Sequence, residues 1–333
     1  MRTARVRGPG HPDHACDLVA SSILEEYMRR DSASRLDVHV SGGRGALFVA
    51  GQVISSADFD VSAVVRRTLG GLGSTGSIEP FIAFEPFSPH AAPVFGARDM
   101  VQVSGYATNE TLAFLPQPVV CAREIATELE RCRINDPHWF WLGADYEVSV
   151  YEEGKTLLVM IRAEHSEGQT LLDVRNTLTR LVKERFPHAD VRVNPGGEEM
   201  LGGLAGQMGA SDHGTNADLY GSQLPCSPVR SGLHPLHPSV IGSWLSRQVA
   251  CELVAAKKGK AIMVQALWMP FETRAHLFRV RNERGENLSH LVDAQRFDIN
   301  RAPPSFLVPQ LLIDRLRVGY DNTIRLPWEN GMV

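Results

Sequence analysis

The sequence predicts an α+β protein built from three related units, and two observations carry that reading. An order of helix, two strands, helix and strand occurs near residue 14, again near 117, and in part near 239. Those starts are 103 and 122 residues apart, too far for a solenoid repeat, so each copy is a unit with a core of its own. At 333 residues, with 43% hydrophobic and 22% charged, the chain is long enough to fill two or three such cores.

In the first unit, Ala15, Leu18, Val19, Ile23 and Tyr27 recur at helical spacing. The run ends in Arg29 and Arg30, which suit the negative end of a helix dipole. This predicts a helix over 14–30 with one buried face. LDVHVSGG and GALFVAGQVIS read as two strands about Gly42 and Gly43, FDVSAVVRRTLGGLG as a helix and PFIAF as a strand. The second unit repeats this: a helix over 117–133, strands YEVSVY and TLLVMIRAEH, a helix over 169–186, and VRVN. The third has a helix over 239–258, strands KAIMVQALWM and AHLFRVRN, and a short helix LSHLVDAQ before RFDI. The units are therefore 1–88, with 89–116 as a connecting loop, 117–194 and 239–333, and a Gly-rich segment covers 195–238.

Composition narrows the partners. Acids and bases are interspersed and the net charge is −4, so no electrostatic footprint for nucleic acid is present. No apolar run reaches the roughly 18–20 residues of a membrane span, and no secretory leader precedes the first helix; the expectation is a cytoplasmic protein with a small-molecule partner. Cys16, Cys121, Cys132, Cys226 and Cys251 lack a CxxC spacing, which suits reduced thiols. Residues 194–222 hold eight glycines in 29, a density that fits either a backbone closely approached by ligand or a plain flexible loop, and neither GxxxxGK[ST] nor GxGxxG occurs there. The HPLHP run, with His234 and His237 three apart, reads as a rigid turn in preference to a metal site, because no carboxylate accompanies it.

GHPDHACD, ALFVAGQVIS, SGYATNET, AEHSE, NPGG with GG and YG after it, and LPWE occur in one order between residues 10 and 329. Together they resemble the S-adenosylmethionine synthetase (methionine adenosyltransferase) family over nearly the whole chain. The resemblance implies pseudo-threefold symmetry, sheets packed face to face in a homodimer, sites between subunits, joining of methionine to the 5′ carbon of ATP, and dependence on magnesium and potassium. It implies that His11 stabilises the leaving oxygen, as a histidine at a helix entrance can by donating a hydrogen bond; a turn histidine is the plain alternative. Asp13 matches a magnesium ligand, and also suits a helix N-cap. Asp99, in GARDM, matches a contact to the substrate ammonium. The remaining substrate-binding expectations fall on Pro12, Phe87, Ser88, Asp145, Glu198, Glu199, His213, Trp268 and Met269, with Trp268 offering a stacking surface.

The departures cluster at the phosphate end. The family's lysine after GHPD is His14, its ammonium-pairing glutamate is Gln52, its potassium-holding glutamate is His39, and the lysine before the second unit's first strand is Asp145. In the Gly-rich segment an aspartate becomes Gln207, an Arg-Lys pair becomes His213 and Gly214, and the Arg-Phe adenine cradle becomes Glu198 and Glu199. SGLHPLHPS replaces two lysines by Leu233 and His237 and an aspartate by Ser239. Losing four hydrogen bonds to charged phosphate removes about 6–12 kcal/mol, or roughly four to eight decades. The leading expectation is an enzyme that takes S-adenosylmethionine or a related sulfonium or nucleoside and cleaves or cyclises it, releasing methylthioadenosine. Gln52 leaves the substrate amine free to attack, Asp99 takes the proton, the magnesium site is weakened and the potassium site lost. Two alternatives stand beside it: the family synthase reaction with histidines in place of lysines, and a non-catalytic subunit of an active paralogue.

Overall fold

The computed structural model describes residues 2–73, 77–86, 96–154, 156–213, 220–224 and 231–302. Phe87, Ser88 and the LPWE motif lie outside them.

Three sheets stand where three units are expected. In the first, β2 (Arg35–Gly43) and β3 (Ala46–Ile54) form a hairpin, and α2 (Val61–Gly71) carries the chain to β4 (Glu79–Glu85), parallel to β3. The second repeats this with β6 (Leu142–Glu153), β7 (Thr156–His165), α4 (Leu171–Arg185) and β8 (Asp190–Val193). In the third, β10 (Ala261–Trp268) pairs with β11 (Leu277–Asn282). A long helix precedes each hairpin: α1 (Pro12–Arg30), α3 (Gln117–Asn135) and, after the single turn α5 (Gly203–Gly206), α6 (Pro238–Ala255).

The unit boundaries expected from the sequence need correction, because each sheet receives a strand from elsewhere. β1 (Arg2–Arg7) leaves the first unit and pairs antiparallel with β6. β5 (Val101–Thr108), inside the stretch expected to be a connecting loop, pairs antiparallel with β10. β9 (Gly209–Ala210), from the Gly-rich segment, pairs antiparallel with β2. In every unit the added strand lies on the first strand of the hairpin, so the exchange follows the repeat and covers an edge that would otherwise offer unpaired backbone groups.

Side-chain alternation fills the cores. Val148, Val150, Val159 and Ile161 of the second sheet are buried against Val119, Ala122, Ile125 and Leu129 of α3, and Tyr146 donates its hydroxyl to the Ala126 carbonyl at 3.2 Å. Two of the long helices depart from a single buried face: Pro12 to Leu24 of α1 and Pro238 to Arg247 of α6 are buried all round. The polar side of α1 is inside because neighbouring segments supply partners for it. Asp17 accepts from the Asp212 amide and the Ser231 hydroxyl, both at 2.7 Å. Arg247 donates to the carbonyls of Ala113 at 2.8 Å and Phe114 at 2.9 Å, tying α6 to the segment after β5.

The helix expected over LSHLVDAQ is two 3₁₀ turns, Ser289–Leu291 and Ala294–Phe297. Asp293 caps the second turn by accepting from the Gln295 amide at 2.9 Å, and buried Phe297 packs 6.4 Å from the Trp268 ring, which holds the chain in tight turns.

Candidate functional site

β1 leads into α1 through two backbone bonds, Gly8 to the Tyr146 carbonyl at 2.7 Å and Gly10 to the Ala144 carbonyl at 3.0 Å. They set the start of α1 beside the second sheet. His11 caps the helix and Pro12 takes its first position, where no amide donor is needed. Asp13 is therefore already helical and is not the N-cap. The His11 Nδ1 accepts from the Asp13 amide at 3.3 Å, so the neutral ring carries its proton on Nε2. Burial, with Arg7, His14, Arg162 and Arg5 adding to it, pushes the His11 pKa down to about 2. The residue is a neutral hydrogen-bond donor throughout the ordinary pH range.

A cavity of about 250 Å³ opens beside Gly10, between α1 and α2 on one side and the start of β6 on the other. Asp145, Glu164 and Trp141 line it, with Gly202 and Gly203 closing one wall. The Asp145 side chain is fully buried, paired with Arg162 at 2.6 Å and accepting from the Gly203 amide at 2.8 Å. Glu164 accepts from the Gly202 amide at 3.1 Å and the Asp145 amide at 3.4 Å. Gly203 has a φ of +57° and stands so close to the turn that an added Cβ would lie 3.2 Å from the Gly10 carbonyl, a position only glycine fills without strain.

Arg162 is the charged residue of this site that the sequence reading missed. Its signal was present in IRAEH, where strand alternation places it beside Glu164's face and cross-strand from Glu147. It corrects the view that opposite charge simply replaces a lysine at Asp145: the carboxylate is neutralised by a neighbouring arginine, whose other flank lies 3.9 Å from Glu199.

Glu198 is exposed, whereas Glu199 turns its backbone to His165, accepting from its amide at 2.8 Å. His14 is 1% exposed inside the packing of α1. The His213 ring is largely exposed and donates through Nδ1 to Asp13 at 3.1 Å. His234 and His237 repeat the His11 turn, accepting from the amides of Leu236 at 3.1 Å and Ser239 at 3.2 Å; His237 caps α6 as His11 caps α1. Trp268 is 0% exposed, its ring packed on Gly242 and Phe297, so it offers no stacking surface and that expectation is corrected. Met269 is exposed at the end of β10, Asp99 is exposed before β5, and Gln52 lies half-buried on β3 opposite Asp37 and Glu85. The structure thus gathers His11, Pro12, Asp13, Asp145, Glu199 and His213 about the start of α1, and places Gln52 on the first sheet, Trp268 at the end of β10, Asp99 just before β5 and Met269 just after β10.

The donor set at Asp13 does not fit magnesium. One oxygen accepts from Arg7 at 2.8 Å and His213 at 3.1 Å, and the other from the Ala210 amide at 3.0 Å. Octahedral oxygen ligation has no room beside a fixed guanidinium. Among the described residues no group of three or more His, Cys, Asp or Glu side chains is arranged for a metal. His39, exposed and 3.3 Å from Asp37, gives nitrogen where potassium needs oxygen.

Three α+β units exchanging strands, with a cavity beside the helix entrance between the first and second, define a pseudo-threefold small-molecule enzyme scaffold. Residues 1–86 match the S-adenosylmethionine synthetase N-terminal domain and residues 94–198 the central domain of the same protein. The chain belongs to the S-adenosylmethionine synthetase family, as a divergent member. It is 25% identical to the S-adenosylmethionine synthase of Deinococcus deserti, over 96% of this chain and 94% of that one. It is 27% identical to the synthase of Pseudothermotoga lettingae, over 78% and 76% of the two chains, and to that of Sorangium cellulosum, over 94% and 82%. No helix of the described residues is long and apolar enough to cross a membrane.

Proposed function

We propose that the chain is an enzyme of adenosyl chemistry whose cavity takes a sulfonium, S-adenosylmethionine or a close relative, and cleaves or cyclises it with release of methylthioadenosine. The observation that carries this reading is the charge of the cavity. Asp145 and Glu164 line it, Glu199 stands nearby, and Arg162 is engaged by Asp145 and Glu199. Such a wall attracts a cation and opposes a triphosphate.

In the cyclisation the substrate amine attacks its own chain carbon, the carbon–sulfur bond breaks, and its electron pair leaves with sulfur as a neutral thioether. Positive charge passes from sulfur to nitrogen, so the carboxylates attract both ends of the step, and the amine proton then goes to a carboxylate. Glu164 is at the cavity wall and takes this proton; Asp99, exposed before β5, is not part of that wall. His11 offers its Nε2 hydrogen to a substrate carboxylate. Two copies pair through the first sheet, whose open face carries Phe48 and Phe81, about half exposed and ring-stacked at 5.2 Å.

The synthase reaction is the second reading, favoured by the names of the relatives. Incubating the protein with S-adenosylmethionine and following methylthioadenosine tests the first reading; its absence removes it. Phosphate and pyrophosphate release from ATP plus methionine would establish the second.

A further inference from the structure

We infer that Arg7 takes the place of a divalent cation at Asp13, so that this end of the site is held together by an internal guanidinium and needs no metal. The inference rests on membership of the family and on Asp13 matching its magnesium ligand, and is independent of which substrate is used.

The geometry is specific. The Arg7 side chain is 0% exposed, and one nitrogen, Nη1, donates both to Asp13 at 2.8 Å and to the His213 carbonyl at 2.9 Å. Asp13 in turn accepts from the Ala210 amide at 3.0 Å. One arginine–aspartate pair thereby fixes Ala210 and His213, the two ends of the turn after β9. Asp17, one helical turn further along α1, fixes the middle of that turn through the Asp212 amide at 2.7 Å. β9 itself is stitched to β2, the Ser211 amide donating to the Val40 carbonyl at 2.8 Å.

A guanidinium does this work differently from a metal. It cannot lose its proton, it cannot diffuse away, and its planar donors match carboxylate and carbonyl oxygens together. Magnesium would have to displace the Nη1 and His213 donors from the same oxygen and accept a buried cation as its neighbour, with nothing gained in ligand number. The clamp is therefore permanent, and the segment behind the cavity is set before any ligand arrives.

Manganese alone, added to the full chain and counted by electron paramagnetic resonance, tests this without substrate. The wild type is expected to bind no manganese that Asp13→Asn removes, and Arg7→Ser to gain one equivalent that the Arg7→Ser, Asp13→Asn double variant loses. One equivalent on the wild type, abolished by Asp13→Asn, would overturn the inference. A second readout needs no variant: the melting temperature of the wild type is expected to be the same in EDTA as in excess magnesium, and a magnesium-dependent rise lost in Asp13→Asn would contradict it. Neither measurement involves S-adenosylmethionine, so failure of the sulfonium reading would leave these results unchanged.

Discussion

Restoring the family's lysine at position 145 is the sharpest perturbation of the cavity wall. Asp145 is fully buried, bound to Arg162 at 2.6 Å and to the Gly203 amide at 2.8 Å. A lysine there removes the acceptor for both donors and sets two cations side by side. Hydrogen bonds to charged groups contribute about 1.5–3 kcal/mol each, and breaking a buried ion pair costs about 3–5 kcal/mol. Taking about 4 kcal/mol, at about 2 °C per kcal/mol for a chain of this size, Asp145→Lys should lower the melting temperature by about 8 °C. Asp145→Asn keeps an acceptor for Gly203 and should lose less. The assay is differential scanning fluorimetry of both variants, with ATP titrated into each. If Asp145→Lys melts within about 1 °C of wild type, or gains ATP binding, the lysine was merely absent and Arg162 is not the partner argued here.

The buried histidines set an acid limit. His11 is held down to about 2 and His234 to about 4 by burial, so both stay neutral in the fold while the unfolded chain protonates near 6.5. Their stability is fully present above pH 6.5 and is lost as pH falls below it, at about 1.4 kcal/mol per pH unit for each group; urea midpoints at pH 7 and pH 5 should differ accordingly, and equal midpoints would contradict it. Caps and catalysis separate cleanly. His237→Ala and His11→Ala should each cost about 1 kcal/mol as lost N-caps, read by thermal melts, but only His11→Ala should reduce turnover. Glycines divide in the same way: a Cβ at Gly209 would lie 2.3 Å from the Pro12 carbonyl, whereas one at Gly70, within α2, meets nothing within 4 Å. Gly209→Ala should destabilise by about 1–3 kcal/mol and Gly70→Ala should stabilise by about 0.5–1 kcal/mol, as chemical denaturation would show.

Local patterns made the elements legible. Apolar spacing located α1, and Gly42 and Gly43 at the end of β2 marked the first hairpin, because such signals depend on neighbours in the chain. Strand exchange was not legible. Pairs such as Arg2 with Glu152 and Gln102 with Leu267 are set by contacts between distant segments, and nothing near β1 or β5 announces the partner. The same holds for burial of the polar side of α1, where Asp13 read as a metal ligand or an N-cap and nothing near Asp17 announced that the Gly-rich segment folds over it. At the site, the sequence placed His11 correctly at a helix entrance, but it read Asp145 alone. A charge replacement has meaning only with its partner, and Arg162 lies 17 residues away on the next strand. Trp268 shows the converse: an aromatic at a strand end looked available, yet the third core encloses it.

The central claim is that this cavity has exchanged a taste for anions for one for cations. Isothermal titration of the full chain with S-adenosylmethionine and, separately, with ATP and magnesium measures that directly. S-adenosylmethionine should bind at least tenfold tighter, a margin of about 1.4 kcal/mol or more. Tighter binding of ATP would contradict the account.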